Sequence, residues 1–263
     1  MTTTNSQSDG NLPILQPAAA KLEHTFAGRL VPHEPVYFIY GHNAPAAKFQ
    51  FSFKYKLMGF GEATEQRVPS TLQFAFSQRS IWDITASSSP FYDTSSMPEL
   101  FYEALAPMPQ KSSAWFTWLG YQAGYKHESN GRAGSVSRSM NTLFAQPVFV
   151  LGALDRWFVV VAPRIFTYIG GLSDNPDLTD YRGYGQLRLV IGKNTGPLLM
   201  YTGIIGRRWD HVTTQLDFTV PVRTHLFDFE TYFLVQYFNG YGESLLAYRE
   251  KSETVRAGFS LVR

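Results

Sequence analysis

The chain has 263 residues, a formal net charge of +2 and no cysteine. The small net charge gives no electrostatic reason to expect a nucleic-acid partner, and the absence of cysteine excludes a disulfide framework and a thiolate metal site. Aromatic residues make up 16% of the chain, which is more ring surface than an ordinary soluble core needs. Part of this surface is therefore expected to face another apolar medium.

The N-terminal segment, residues 1–34, is polar and contains scattered Pro and Ala. It is predicted to be a flexible tail ahead of a single domain that spans residues 35–263. The segment has neither a basic start nor an apolar core, so it is not a secretory signal peptide. No run of about 18 or more apolar residues occurs, which excludes transmembrane helices but not a membrane β-barrel.

The first regular pattern lies in residues 48–57, KFQFSFKYKL, where apolar side chains alternate strictly with polar ones. Alternation with period two is typical of a β-strand that separates an apolar from a polar environment. The pattern recurs along the chain, and no segment between its repeats has the period of a helix. Twelve strands are predicted, at residues 36–40, 48–58, 71–84, 99–107, 114–129, 141–154, 157–169, 183–193, 198–208, 211–221, 227–240 and 254–262.

The predicted connections differ in length on the two sides of the sheet. Short turns such as 155–156 and 194–197 alternate with long polar loops at 85–98, 130–140, 170–182 and 241–253. Long loops on one side, short turns on the other and an even number of long strands are typical of an outer-membrane barrel. The sequence therefore predicts an all-β fold, a twelve-stranded antiparallel transmembrane β-barrel. The alternative is a soluble β-sandwich or lipocalin-like barrel with the Phe-rich faces inside.

A candidate catalytic site lies where the fifth predicted strand ends. His127 and Ser129 are two residues apart, a pattern that by itself is more typical of a surface loop than of a catalytic site. Strand parity places both on the lipid-facing side, and Asn141, which opens the returning strand, faces the same way. Such a trio can serve as the base, the nucleophile and the orienting group of a serine hydrolase. Polar groups facing lipid are costly without a function, and an ester at head-group depth belongs to a phospholipid.

Several motifs resemble those of the outer-membrane phospholipase A family. HESNGR at 127–132 and SRSMN at 137–141 match its catalytic signature. Further matches follow at SSPF, DNPDLTDYRGY and YGESLLAY, which begin at residues 88, 174 and 241. The resemblance implies a barrel in the bacterial outer membrane that is activated by calcium and by dimerisation. It also implies release of fatty acids from phospholipids and lysophospholipids with both A1 and A2 regiochemistry.

The resemblance also assigns the catalytic roles residue by residue. It implies that His127, Ser129 and Asn141 are the catalytic residues, and that the backbone amide of Gly131 contributes to the oxyanion hole. Because a neutral Asn stabilises the imidazolium less than a carboxylate does, additional electrostatic help for the oxyanion is expected.

Calcium is the expected source of that help. The resemblance implies that its ligands are the carbonyl of Arg132, the hydroxyl of Ser137 and Ser88 of the partner subunit in a homodimer. Gln78 matches a position at the dimer interface, and a lumen-facing position is the alternative. Glu128, which lies between the two catalytic residues of the fifth strand, is predicted by parity to face the lumen.

Two rival functions remain open from the sequence. One is a non-catalytic outer-membrane barrel, either a channel or an adhesion scaffold, and the other is a soluble lipid carrier. Conductance without lipid hydrolysis would favour the first, and partitioning into water without detergent would favour the second.

Overall fold

The computed structural model describes residues 29–62, 68–106, 115–153, 156–193, 195–222 and 231–263. Two short helices lie in the connections of this part of the chain, a 3-10 helix at Gly134–Val136 and the α-helix α1 at Leu178–Arg182. Its strands are β1 Leu30–Val31, β2 Val36–Gly41, β3 Ala47–Phe60, β4 Ser70–Trp82, β5 Phe91–Leu105, β6 Phe116–Ser129, β7 Ser139–Gly152, β8 Phe158–Tyr168, β9 Gly185–Gly192, β10 Leu198–Ile205, β11 Val212–Val222, β12 Thr231–Tyr241 and β13 Lys251–Val262.

The strands β2 to β13 form a closed antiparallel ring. Each pairs with the next one along the chain, and β13 pairs with β2, for example through Phe259 opposite Phe38. Closure gives each of these twelve strands a neighbour on both sides, so the described part of the ring has no open edge. The structure therefore confirms the predicted all-β fold, a barrel of twelve antiparallel strands.

The described chain contacts the barrel already ahead of β2. The short strand β1 pairs with β3, with Leu30 opposite Tyr55, beyond the stretch of β3 that pairs with β2. Between β1 and β2 the chain turns inward, and Glu34 forms an ion pair of 2.9 Å with Arg188 of β9. Residues 29–34 of the predicted tail therefore lie against the barrel, at a point where two prolines interrupt the alternation. Residues 1–28 of the predicted tail lie outside the described residues.

The outer surface of the barrel is apolar and its lumen is polar. On β3, Phe51 points outward and is 53% exposed, whereas its neighbour Ser52 points inward and bonds the Ser77 hydroxyl at 2.6 Å. Charged side chains cross the lumen in pairs, such as Glu99 with Arg164 at 2.6 Å. This arrangement excludes the alternative in which the Phe-rich faces form an inner core. It is the polarity that a barrel surrounded by lipid requires.

Four long connections, 83–90, 130–138, 169–184 and 242–250, lie together at one end of the barrel, as predicted, and we call it the loop end. The prediction that the opposite end has only short turns is wrong, because the described strands there are separated by eight to ten residues at 61–69, 106–115 and 223–230. At the loop end, the connection 83–90 is shorter than predicted, because β5 begins at Phe91 and not at residue 99. Thr94 and Ser96 of this segment point outward, and Asp93 and Ser95 are buried facing inward. With polar residues on both faces, no apolar alternation marks the segment as a strand.

The other predicted strands agree with the structure within a few residues at each end. The predictions for 107, 114, 154–155, 194 and 227–230 fall on residues outside the described part of the chain. The helix α1 was not predicted, since a helix of five residues is too short to show a helical period. It lies at the loop end, where buried Leu178 packs with Leu245 and Tyr248 of the last long loop.

Candidate active site on the outer rim of the barrel

The first two candidate residues are placed by the register between β6 and β7. A bulge between Trp118 and Gly120 shifts this register, but beyond it the pairing runs one to one to the end of the ladder, where Ser129 lies opposite Ser139. Side chains therefore alternate regularly from Tyr121 onward. Tyr121 is 42% exposed on the outer surface, and His127 and Ser129 share its parity. Both face outward, as predicted.

Glu128 lies between the two candidates and points into the lumen. It is buried, with its carboxylate 3.3 Å from Arg182 and 3.6 Å from Arg79. These two cations neutralise it on the inner side of the strand. The prediction from parity that Glu128 faces the lumen is therefore confirmed.

Asn141 of β7 lies directly opposite His127 of β6. The Nδ1 atom of the imidazole is 2.8 Å from the Oδ1 atom of the Asn141 amide, which is hydrogen-bonding distance. An amide oxygen only accepts, so Nδ1 carries the proton and Nε2 is free to act as a base. This is the tautomer that a general base next to a serine requires.

The Ser129 hydroxyl makes no hydrogen bond to the imidazole among the residues that the structure describes. It lies two residues beyond His127 on the same face of β6, which corresponds to roughly 6.6 Å between the Cα atoms. Bonds of this kind are often long in the absence of substrate and tighten when it binds. The structure thus brings His127 and Asn141 together and leaves Ser129 beside them.

The loop that follows Ser129 is organised by Asn130, which sequence reasoning did not single out. Its buried amide oxygen accepts the backbone N–H groups of Arg132 at 3.3 Å and Arg138 at 3.0 Å. Its amide nitrogen donates to the carbonyl of Val136 at 2.9 Å. These three bonds fold residues 131–138 into a fixed turn around one side chain. Gly131 opens this turn with φ 64°, a left-handed conformation that favours glycine.

The residues predicted to bind calcium lie along this loop and the neighbouring one. The guanidinium of Arg132 donates to the carbonyl of Tyr92 at 2.6 Å, which ties the loop to the start of β5. The Ser137 hydroxyl donates to the Asp174 carboxylate at 2.7 Å. Ser88 is exposed in the adjacent loop 83–90. Within the described ranges, no three His, Cys, Asp or Glu side chains gather as a metal-binding group.

The donors that these residues offer fit calcium. A backbone carbonyl, hydroxyls and one carboxylate are hard oxygen ligands of the type that calcium prefers. Asp174, on which no prediction was made, is the acidic member of this set. It opens the DNPDL stretch from residue 174, so the motif marked its position but not its contact with Ser137.

The loop 169–184 packs against the candidate site at the loop end of the barrel. Asn175 is fully buried and its side-chain oxygen accepts the backbone N–H of Ser139 at 3.1 Å. Asp177 accepts hydrogen bonds from the Arg249 guanidinium and the Tyr248 hydroxyl, and the bonds from Arg249 contribute most to lowering its pKa. Burial and the Asp177 carboxylate together raise the pKa of Tyr248 to about 12. These contacts fix the two loops to each other across the loop end.

Gln78 of β4 points outward. It lies opposite Phe51 on one side and Ser96 on the other, and its neighbour Arg79 reaches the lumen carboxylate of Glu128. It therefore shares the outer face with exposed Phe74. The alternative of a lumen-facing Gln78 is wrong, and a polar amide stands on the apolar outer surface.

The chain was compared with known families and structures. The model of the family described as phospholipase A1 matches residues 29–261. Phospholipase A1 of Escherichia coli (strain K12) is 32% identical over 195 residues, which cover 73% of this chain and 62% of that protein. The chain thus spans less than two thirds of the length of this relative.

Two solved structures resemble the barrel. They are outer membrane phospholipase A from Escherichia coli, and an outer membrane phospholipase dimer with bound calcium from Salmonella typhi. Each is 28% identical to this chain and has a TM-score of 0.73. Each match covers 88% of this chain and 91% of the matched chain.

Proposed function

Because this chain belongs to the phospholipase A1 family, we propose that it is a calcium-dependent phospholipase A1/A2 of the bacterial outer membrane. Its proposed substrates are the acyl esters of phospholipids and lysophospholipids. The observation that carries the proposal is the 2.8 Å hydrogen bond between His127 and Asn141, beside Ser129 on the outer surface. An ester that meets this surface lies in a lipid layer, since the surrounding face of the barrel is apolar.

Ser129 is the proposed nucleophile. Its Oγ attacks the acyl carbonyl carbon while its proton passes to Nε2 of His127, and the carbonyl oxygen becomes an oxyanion. When the oxyanion collapses, the bond to the glycerol oxygen breaks and His127 returns the proton to that oxygen. A water molecule, deprotonated by the same imidazole, then attacks the acyl carbon. The bond to Ser129 Oγ breaks, His127 returns the proton to that oxygen, and the fatty acid leaves.

Two uncharged groups, the Asn141 side chain and the Gly131 backbone amide, assist this proposed reaction. Asn141 accepts the Nδ1–H bond of the imidazole, which leaves Nε2 unprotonated for the proposed transfer from Ser129. The backbone amide of Gly131 is the proposed oxyanion donor, and the turn around Asn130 fixes its direction. Donors that are already oriented cost no reorganisation during the reaction.

The proposed calcium site uses the Arg132 carbonyl, the Ser137 hydroxyl and Ser88 of the partner subunit. Asp174 adds a carboxylate that already contacts Ser137. When bound, calcium supplies positive charge near the oxyanion, which compensates for the neutral Asn141. The calcium-bound dimer from Salmonella typhi supports this proposal by similarity.

A homodimer is the proposed active form. The outward amide of Gln78 stands on an apolar surface, where a hydrogen bond to a second copy is the favourable way to satisfy it. Ser88 would then meet the calcium loop of the partner. A channel is less well supported, because ion pairs such as Arg188 with Glu34 at 2.9 Å cross the lumen.

The test is fatty-acid release by purified protein in phospholipid micelles. We expect release with calcium, loss of release with chelator, and a fall of about 10³-fold or more in Ser129→Ala. Ser139→Ala is the matched control, since Ser139 lies opposite Ser129 on the same face. Unchanged release by Ser129→Ala would refute the assignment, and conductance of planar bilayers without hydrolysis would favour a channel.

A further inference from the structure

Tyr125 makes a contact with the catalytic residues that the proposed mechanism does not use. It lies on β6 two residues before His127 and therefore shares its outward face. Its hydroxyl is 2.5 Å from Oδ1 of Asn141, the same atom that lies 2.8 Å from Nδ1 of His127. One amide oxygen thus accepts two hydrogen bonds on adjacent sides.

We infer that Tyr125 is a positioning residue that fixes the amide of Asn141 and, through it, the tautomer of His127. The inference rests on the proposed function, since it assigns Tyr125 a task in the same site. Tyr125 touches neither the ester nor the nucleophile in this scheme. Its effect reaches the reaction only through Asn141.

The length of the bond identifies the atom that Tyr125 meets. A separation of 2.5 Å falls within the range of O–H···O bonds, whereas bonds with an amide nitrogen as donor rarely fall below roughly 2.7 Å. The tyrosine hydroxyl therefore donates to the oxygen of Asn141. A flipped amide would place its N–H₂ group at this position.

A flip of Asn141 would disable the base. The N–H₂ group would then face Nδ1 of His127 and donate to it, which forces the imidazole proton onto Nε2. A protonated Nε2 in the neutral ring cannot accept the proton of Ser129. A carboxylate avoids this problem because its two oxygens are equivalent, but an asparagine requires a second group to select its orientation. Tyr125 is that group in this structure.

The first experiment measures the tautomer directly. Histidine labelled with ¹⁵N in the imidazole is incorporated, and the folded protein is studied by NMR in micelles, above the ordinary titration range of histidine. We expect the Nδ1–H form of His127 in the wild type and a measurable share of the Nε2–H form in Tyr125→Phe. Tyr121→Phe is the matched control, because Tyr121 is on the same face of β6 and its hydroxyl has no hydrogen bond among the described residues.

The second experiment is a double-mutant cycle in the hydrolysis assay. Tyr125→Phe should lower kcat about 5- to 10-fold with little change in KM, as expected for the loss of one such bond. In an Asn141→Asp background, where no flip exists, the same change should cost less than about 2-fold. Equal losses in both backgrounds would indicate a merely structural role and would overturn the inference.

The outcomes separate this inference from the proposed function. An unchanged tautomer in Tyr125→Phe overturns the inference even if the wild type hydrolyses phospholipid. A changed tautomer supports it even if no hydrolysis is found, in which case the proposed function fails alone. If Asn141→Asp is inactive, the tautomer measurement decides.

Discussion

Gly131 connects the conformation of one residue to the proposed reaction. Its φ of 64° lies in the left-handed region, and a Cβ added there would meet no atom within 4 Å. Space is therefore available, but an alanine would cost about 1–2 kcal/mol of backbone energy. The backbone would relax away from this conformation and turn the proposed oxyanion donor aside.

We predict that Gly131→Ala lowers kcat about 10²-fold and leaves KM nearly unchanged, because the donor acts on the oxyanion and not on the bound ester. Gly134→Ala is the matched control, since Gly134 has φ 66° in the same loop and equally open surroundings. Steady-state kinetics on both variants decide the question. Similar losses in the two would indicate that loop conformation in general, and not the Gly131 amide, limits the rate.

At the scale of the loops, the proposed calcium site includes a contact between two connections. Ser137 of loop 130–138 donates to Asp174 of loop 169–184. The negative charge of Asp174 stands next to a proposed ligand and attracts the cation directly. Asp177, three residues further along, is instead held by Arg249.

We predict that Asp174→Asn raises the calcium concentration for half-maximal activity about 10-fold, with maximal activity restored at high calcium. Asp177→Asn should leave that concentration unchanged, because its carboxylate serves Arg249 and Tyr248. The measurement is a calcium titration of fatty-acid release for the two variants. A normal calcium response in Asp174→Asn would show that its carboxylate is not part of the site.

An element could be predicted where its side chains alternate regularly along the sequence. Strands such as β3 carry strict alternation, so both their position and their outward face followed from the sequence. The start of β5 has polar residues on both faces, and α1 is shorter than two helical turns, so neither leaves a periodic signal. The strand β1 is only two residues long and two prolines separate it from β2, so it shows no alternation either.

Some contacts of the candidate site follow from strand parity, and others do not. Parity alone places His127 and Ser129 outward, and the antiparallel return places Asn141 opposite His127. The contact of Ser137 with Asp174 joins residues 37 positions apart through folded loops, and no local pattern encodes it. The hydrogen bond from Tyr125 to Asn141 could not be predicted for another reason. A tyrosine at this level of a membrane barrel is already explained by its ring, so nothing in the sequence points to its hydroxyl.

For the molecule as a whole, the lumen network links the loop end to the early strand β3 and the last strand β13. Glu243, just beyond β12, accepts from Lys48 of β3 at 3.1 Å and from Arg256 of β13 at 2.6 Å. Burial alone would raise the pKa of Glu243, but the two cations outweigh it and lower the pKa to about 2. The folded barrel therefore holds this carboxylate ionised where an unfolded chain would protonate it.

A group with a lowered folded pKa stabilises the fold above its unfolded pKa, and this contribution is lost as the pH falls towards the folded value. For Glu243 the loss is expected between its ordinary pKa of 4.5 and its folded pKa of about 2.

We predict that Glu243→Gln lowers the free energy of unfolding at neutral pH by about 3 kcal/mol or more, because Lys48 and Arg256 lose their buried counter-charge. The variant should also lose less stability than the wild type over this acid range. Urea unfolding in detergent at several pH values measures both effects. Glu250→Gln is the control, since Glu250 is an exposed carboxylate of the same loop. A parallel pH dependence in wild type and Glu243→Gln would show that the network contributes no acid sensitivity.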